Sequence, residues 1–322
     1  MSNRSPVSLH ISLAPRDLRH ARAILPHQLR QIGGSVEEIV CTIDTLGRPP
    51  AELGDEFAEL AALAEQLSAA APLHIVRVVD YSPARRATLS RQFFRSGSIP
   101  RQTYRVGPFH AYFDGWLATT RPYIFHLDSD MLIGGSAAGW IEEAISLLSA
   151  DASVFTCTPL AGPPRDDFCL AQPARQLATP RGAHALAGMS TRIFFLDRDR
   201  LLQPQPKLPL SRATLRGQLR GWVERTSPYA LPEDIISSHM QRLGQHRVDF
   251  LGRAPGCWSL HPPFRNTEFY RRLDEIVHRV ETGDLPDAQR GDYDLNESVI
   301  DWSDARAAIA GNRWWRRLWK SR

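Results

Sequence analysis

The chain has 322 residues, 43% of them apolar and 23% charged, with a formal net charge of +4. That length suits one large α/β domain with an appendage, or two domains, and the composition is that of an ordinary soluble globular protein. The mild positive excess alone does not argue for nucleic acid, no apolar run approaches the roughly 20 residues of a transmembrane helix, and Cys41, Cys157, Cys169 and Cys257 are scattered without a Cys-x-x-Cys pair, which speaks against a zinc site or a disulfide frame. With no apolar signal region in Met1–Pro6, the expected location is cytoplasmic.

Val7–Leu13 alternates apolar and polar residues and reads as a first strand. A helix follows over 17–32, with Leu18, Ala21, Ile24, Leu25 and Leu29 at helical spacing, bent or ended near Pro26 and stopped by Gly33-Gly34. Glu38–Asp44 reads as a strand, 51–70 as an Ala/Leu/Glu-rich helix, and His74–Asp80 as a third strand. Residues 84–104 are basic and irregular; with Arg105 just beyond, six arginines stand among Phe93, Phe94 and Tyr104, which fits a diphosphate or an anionic acceptor as well as nucleic acid. A helix is expected over Phe109–Thr119, another from Gly139 to about Leu148, and strands at Ser153–Thr158 and Ser190–Asp197. The Pro/Gly/Ala/Arg-rich stretch 159–183 reads as a long loop or lid. Residues 203–228 surround an amphipathic helix, and Leu231–Leu243 opens with Pro232, Glu233 and Asp234, a helix-start pattern. Val248–Leu251 is a short strand, and 265–300 reads as a helix followed by an acidic loop.

Between these lies Tyr123–Ile133, in which two apolar runs flank Asp128-Ser129-Asp130. It reads as a buried strand bounded by Arg121-Pro122 and Gly134-Gly135. Side chains at i and i+2 share a face of extended chain, so Asp128 and Asp130 can converge on one hard divalent cation; strand-end turn residues are the plainer alternative. The β/α alternation implies a mostly parallel sheet with helices on both faces. Ligands of such sheets bind outside the carboxyl ends of the strands, where Asp44, Asp80, Asp128 and Asp130 all fall.

This ordered set of motifs resembles the GT-A fold glycosyltransferases of family 2. The resemblance covers roughly residues 7–265 and rests on the strand ending in Asp44, on Asp128-Ser129-Asp130, on Pro232-Glu233-Asp234, and on His261 after a short strand. It implies a Rossmann-like sheet in residues 1–264, divided into a nucleotide-sugar-binding half (1–135) and an acceptor-binding half (136–264), with a helical extension over 265–322. It also implies a metal-dependent, inverting transfer of a single sugar from a nucleotide-diphosphate sugar, with a UDP-sugar favoured, and Mn²⁺ or Mg²⁺ as cofactor. Asp128, Asp130 and His261 would serve the metal, and Asp44 the nucleobase. Ser12, Leu13 and Ala14 would flank base and ribose, with Asp80 or Tyr81 on the same nucleotide, and Ser129 would accompany the acidic pair. Arg105 and Gly107 match the diphosphate contacts, and Gly188 the turn beside donor sugar and acceptor. Asp234 would be the base and Glu233 its orienting partner or an acceptor contact; helix capping explains the same pair. The chain lacks the Gln-x-x-Arg-Trp run of processive synthases, which argues for single transfer.

Residues 312–322 interleave tryptophans with basic residues, as interfacial membrane helices do. That composition fits peripheral contact with the inner face of a membrane, docking on the body, or a homodimer contact, and the first makes a lipid-linked or cell-envelope acceptor attractive. A natural product is a further acceptor class, and no nucleic acid is expected. The rivals are a nucleotidyltransferase, whose Gly-rich loop after the first strand is missing from Ser12–Arg16, a haloacid-dehalogenase-type phosphatase, whose Asp-x-Asp would stand near the chain start, and a degenerate, membrane-associated GT-A binding protein.

Overall fold

The computed structural model describes residues 4–95 and 97–311; the Trp/Arg tail over 312–322, on which the membrane expectation rests, lies outside them. The parallel half comprises β1 (Ser5–Leu13), α1 (Leu18–Ile32), β2 (Val36–Ile43), α2 (Gly54–Ser68), β3 (Leu73–Val78), α3 (Pro83–Phe93), α4 (His110–Ala118) and β4 (Tyr123–Asp128). There follow β5 (Leu132–Gly135), α5 (Ala137–Ala150), β6 (Val154–Ala161), β7 (Arg175–Leu177), β8 (Ala183–Leu186), β9 (Ile193–Asp197), α6 (Arg198–Leu202), α7 (Leu215–Val223) and α8 (Pro232–Arg242). The chain closes with β10 (His246–Phe250), β11 (Cys257–Leu260), α9 (Thr267–Thr282) and α10 (Ser303–Gly311).

The strands run in the order β3-β2-β1-β4-β9-β6-β10-β8-β7. β3, β2, β1 and β4 are mutually parallel, whereas β9 pairs antiparallel with both β4 and β6. The expected "mostly parallel" sheet is therefore wholly parallel only from β3 to β4; beyond it β6 and β10 still pair in parallel, but β9 and β8 run antiparallel to their neighbours. The connections show it: 159–183 is not a bare lid but contains the short strand β7 and leads into β8, which pairs antiparallel with β7 on one side and β10 on the other. Likewise α3 gives helical structure to part of the basic stretch, and α1 runs through Pro26 to Ile32.

Strand alternation distributes the core to both faces. Val7, Leu9, Ile11 and Leu13 of β1 join Phe125, Leu127 and the apolar sides of α1, α2 and α5. The opposite face packs Ile124 and Phe194 on Phe113 and Trp116 of α4, and on Ile235, Ile236 and Met240 of α8. His10 and His126 lie in this second layer, wholly buried, with Nδ1 to Nδ1 at 2.7 Å, and His10 Nε2 is 2.9 Å from Thr42 Oγ1. Burial drives both rings towards the neutral form, His126 down to about 3, and the neighbouring His126 adds to the shift at His10.

Tyr123–Ile133 is not one strand. Asp128 ends β4, the Met131 amide donates to the Asp128 carbonyl across a turn (3.2 Å), and β5 leaves the main path to pair antiparallel with β11. A turn exposes carboxylates to a cleft that a continuous buried strand would have closed over. Opposite Trp258 of β11 stands Gly134; a Cβ there would lie 2.0 Å from the indole, so the two strands close only on glycine. α9 packs beside α1 and β5, and Phe269, Leu273, Ile276 and Trp302 form a third apolar cluster with Leu260 and Trp258. Residues 265–302 are thus part of the body's packing.

Candidate active site

Register brings the first site residues together. Ser12 lies opposite Thr42 of β2 and opposite Asp128 of β4, and the Asp44 amide donates to the Leu13 carbonyl (2.7 Å). The carboxyl ends of β1, β2 and β4 therefore share one edge. A cleft of ≈ 380 Å³ opens there, lined by Ser12, Leu13, Ala14, Asp44, Asp128, Ser129 and Asp130. This is the strand-end location expected from the topology.

Asp44 sits on one wall. Its Oδ1 accepts from the Leu46 amide and the Tyr81 hydroxyl, both at 2.8 Å. Burial raises its pKa, and these two donors only partly offset it. Tyr81 stacks on His110 at 4.4 Å between ring centroids, which fixes the hydroxyl. Leu46 (φ 56°) and Val106 (φ 64°) both adopt left-handed backbone, are about 40% exposed, and line the cleft. For a β-branched residue this conformation is costly and concentrates at functional sites.

The acidic turn is braced from α1. Gln28 Nε2 donates to the Asp128 and Met131 carbonyls, both at 2.9 Å. The Ser129 hydroxyl donates to Asp17 Oδ2 (2.9 Å) and lies 3.0 Å from His20 Nε2, while Asp17 Oδ2 also accepts from the Ala14 amide (2.9 Å). One carboxylate, Asp17, therefore ties the turn after β1 to the turn after β4. Ser129 is spent on this brace.

The two carboxylates of the turn differ. Tyr112 hydroxyl lies 3.0 Å from both Asp128 oxygens. Burial, and then the charge of Asp130, push the Asp128 carboxyl up to about 8; the Tyr112 hydroxyl and the charges of Arg192 and His261 offset this only in part. Burial acts on Asp130 in the same sense, but Arg265 and His261 outweigh it and hold the carboxyl below its ordinary range. Arg265 forms a close ion pair with Asp130 Oδ2. His261 Nδ1 is 2.7 Å from Asp294 Oδ1, and its Nε2 faces Asp130 Oδ2 at 3.8 Å. His261 thus stands between two carboxylates, Asp294 at Nδ1 and Asp130 at Nε2. Among the described residues no three His, Cys, Asp or Glu groups stand gathered for a metal; the cation against Asp130 is Arg265.

Beside the cleft is a recess of ≈ 190 Å³ walled by Arg105, Gly107, Tyr112, Asp128, Arg192 and Glu233. Behind it a polar chamber of ≈ 250 Å³ contains Thr158, Arg247, Asp249 and Tyr293, and Glu233 and Arg192 wall this chamber too. Glu233 Oε2 is 3.4 Å from the Thr191 hydroxyl. Asp234 is exposed, and neither the recess nor the chamber is lined by it. Glu233 thus faces the recess and the chamber, whereas Asp234, one residue further round the first turn of α8, lines neither. Asp80 is exposed as well, its carboxylate accepting from the Ser82 amide (2.8 Å) at the start of α3. Gly188 lines neither recess nor chamber, and space for a Cβ exists there up to Ser237 Oγ at 3.5 Å.

Sequence reading missed Asp17, His20, Gln28, Tyr112, Arg192, Arg265 and Asp294. A usable signal existed for two: His20 and Gln28 are polar on the buried face of an amphipathic helix. Arg265 and Asp294 reach the site only through the packing of α9 and its following loop.

No family model and no curated protein matches this chain. Among solved structures it is similar to one described as the crystal structure of a mycobacterial protein, at 14% identity and a TM-score of 0.39, over 88% of this chain and 76% of that one. A likeness that distant carries no argument about fold or function.

Proposed function

We propose that this protein is a GT-A-type glycosyltransferase that moves one sugar from a nucleotide-diphosphate sugar to an acceptor nucleophile. The observation that carries the reading is the position of Glu233, on the wall common to the recess beside Asp128 and the chamber behind it. A donor in the cleft and an acceptor in the chamber would meet there. The succession of parallel β3-β2-β1-β4 followed by an antiparallel strand supports the fold reading.

Each group has work suited to its chemistry. Asp44, held by Leu46 and Tyr81, accepts hydrogen bonds from a nucleobase, with Leu46 and Val106 as apolar contacts on the ring. Ser12, Ala14 and Asp128 face the ribose. Arg105, the Gly107 backbone and Arg265 offer positive charge and a close backbone approach to the diphosphate. Glu233 takes the acceptor proton as the nucleophile attacks the anomeric carbon, and Arg192 restrains its charge. This reading calls for Mn²⁺ or Mg²⁺, for which Asp128, Asp130 and His261 are the candidate holders: His261 turns Nε2 towards Asp130, and Arg265 is the cation now set against that carboxylate. When bound, such an ion compensates the leaving diphosphate.

The test is a thermal-shift panel of nucleoside diphosphates with and without Mn²⁺, since a ligand of the folded state raises its apparent stability. A rise with one nucleotide that needs the metal and disappears in Asp130→Ala supports the donor site. No shift with any nucleotide sinks it.

A further inference from the structure

α7 is built with its small residues inward. Gly217 and Gly221, one turn apart, are its buried positions. A Cβ at Gly217 would lie 2.8 Å from the Ala213 Cβ and 3.2 Å from the Tyr104 ring, and one at Gly221 would lie 2.7 Å from the Ser227 carbonyl oxygen. The helix therefore seats its backbone on Tyr104 and turns its large apolar side chains outward. Leu215 is 86% exposed, Trp222 73% and Leu219 47%. Spaced at i, i+4 and i+7, they form one stripe. Among the described residues seven large apolar side chains are exposed, and three of them are on this single helix.

The surroundings are basic. Residues 203–228 contain Lys207, Arg212, Arg216, Arg220 and Arg225 against Glu224 alone, and Arg212, Arg216 and Arg225 are exposed. The segment is a flap closed at its base by two backbone hydrogen bonds, Ala213 N to Pro228 O (2.9 Å) and Ala230 N to Ser211 O (3.0 Å). From there the chain enters α8 at Pro232, next to Glu233.

An outward apolar stripe with a tryptophan, bordered by arginines, is complementary to one surface above others: the boundary between acyl chains and anionic headgroups. We propose that α7 docks this protein on an anionic membrane surface, with Leu215, Leu219 and Trp222 entering the boundary and Arg212 and Arg225 meeting lipid phosphates. This docking stands independently of the glycosyltransferase reading. If both hold, the acceptor approaches Glu233 from the lipid side and is itself lipid-anchored. No described helix is long and apolar enough to cross a membrane, so the contact is peripheral at this helix.

The experiment is sedimentation of the full chain with vesicles of phosphatidylglycerol and phosphatidylcholine, or of phosphatidylcholine alone. Wild type is expected to bind the anionic vesicles and to release them as salt rises. The double variant Leu219→Ser/Trp222→Ser is expected to bind about tenfold or more weakly, with an unchanged melting temperature because both positions are exposed. A second full-chain variant, Trp315→Ser/Trp319→Ser, separates the C-terminal segment. Binding that survives the α7 substitutions, or that is lost only with the C-terminal ones, overturns the proposal. So does a change of wild type from dimer to monomer on the α7 substitutions in light scattering, which would assign the stripe to a second copy.

Discussion

The parallel half of the sheet and its mixed half assemble their polar groups by different means. At the parallel edge, backbone register sets Ser12, Asp44 and Asp128 side by side. In the mixed half, the chamber draws Arg247 and Asp249 from the middle of β10, Thr158 from β6, Glu233 from a helix start and Tyr293 from a loop. There the side chains hold one another. Arg247 Nη2 donates to Asp249 Oδ2 (3.1 Å), and its Nε lies 2.7 Å from Oδ1. Burial raises the Asp249 carboxyl to about 6 against that pairing. Topology secures the cleft; electrostatic balance secures the chamber.

Glu233 is where the two regions meet, so its removal is expected to have the largest effect. Glu233→Gln should lower kcat by about 10²–10⁴-fold while nucleotide affinity stays at its wild-type value. Asp234→Asn, on the exposed side of the same turn, should leave both unchanged. Transfer kinetics with a titrated donor check this. Loss of kcat in Asp234→Asn with a normal Glu233→Gln would return the base to Asp234 and dissolve the shared-wall argument.

Next in size is the brace. Gln28→Ala removes both hydrogen bonds to the carbonyls of Asp128 and Met131; the Asp128 carbonyl keeps the Met131 amide, and the Met131 carbonyl loses its side-chain donor, at about 1–3 kcal/mol. The melting temperature should fall, and nucleotide affinity should weaken because the acidic turn is no longer fixed. The chamber has no such backbone brace, so the fall in stability should come with unchanged Asp249–Arg247 behaviour. A variant that unfolds less readily than this while binding nucleotide normally would show that the turn is rigid without α1.

What could be read from the sequence follows the same division. The strands ending in Asp44 and Asp128 follow from their apolar runs and the β/α succession, and it is the resemblance that places Ser12–Ala14 beside them. The chamber did not emerge, because mid-strand Arg247 and Asp249 look like surface residues of a short strand until β8 and β6 cover them. The break of Tyr123–Ile133 into two strands was hidden too: apolar flanks on both sides of Asp128–Asp130 fit one strand or two, and only the Gly134–Trp258 closure decides. Arg265 escaped because its function depends on α9 reaching back across the sheet.

A smaller effect separates the buried layer from both polar regions. His10 and His126 are held neutral in the fold, whereas in the unfolded chain a histidine titrates near 6.5. Below that pH the unfolded state binds more protons, so stability rises with pH up to about 6.5 and is lost as the pH falls towards about 3. Each such histidine contributes about 1.4 kcal/mol per pH unit within that window. His10→Gln should therefore reduce the rise of stability with pH below about 6.5, as measured by urea unfolding at a series of pH values. An unchanged slope would mean that His10 gains its proton within the fold.

The smallest expected effect is the sharpest test of the parallel edge. Asp80 ends β3 in the same manner as Asp44 ends β2, but its carboxylate is exposed and accepts from the Ser82 amide at the start of α3. Asparagine keeps an acceptor oxygen in that position, so Asp80→Asn should change neither melting temperature nor nucleotide affinity measurably, with titration calorimetry as the check. Asp44→Asn, by contrast, replaces one oxygen of the carboxylate that Tyr81 and Leu46 hold, and should weaken binding of the preferred nucleobase over others. If Asp80→Asn weakens binding as much as Asp44→Asn does, strand-end position alone suffices to make an acid a ligand, and the hydrogen-bonded fixing of Asp44 by Tyr81 is not what distinguishes it.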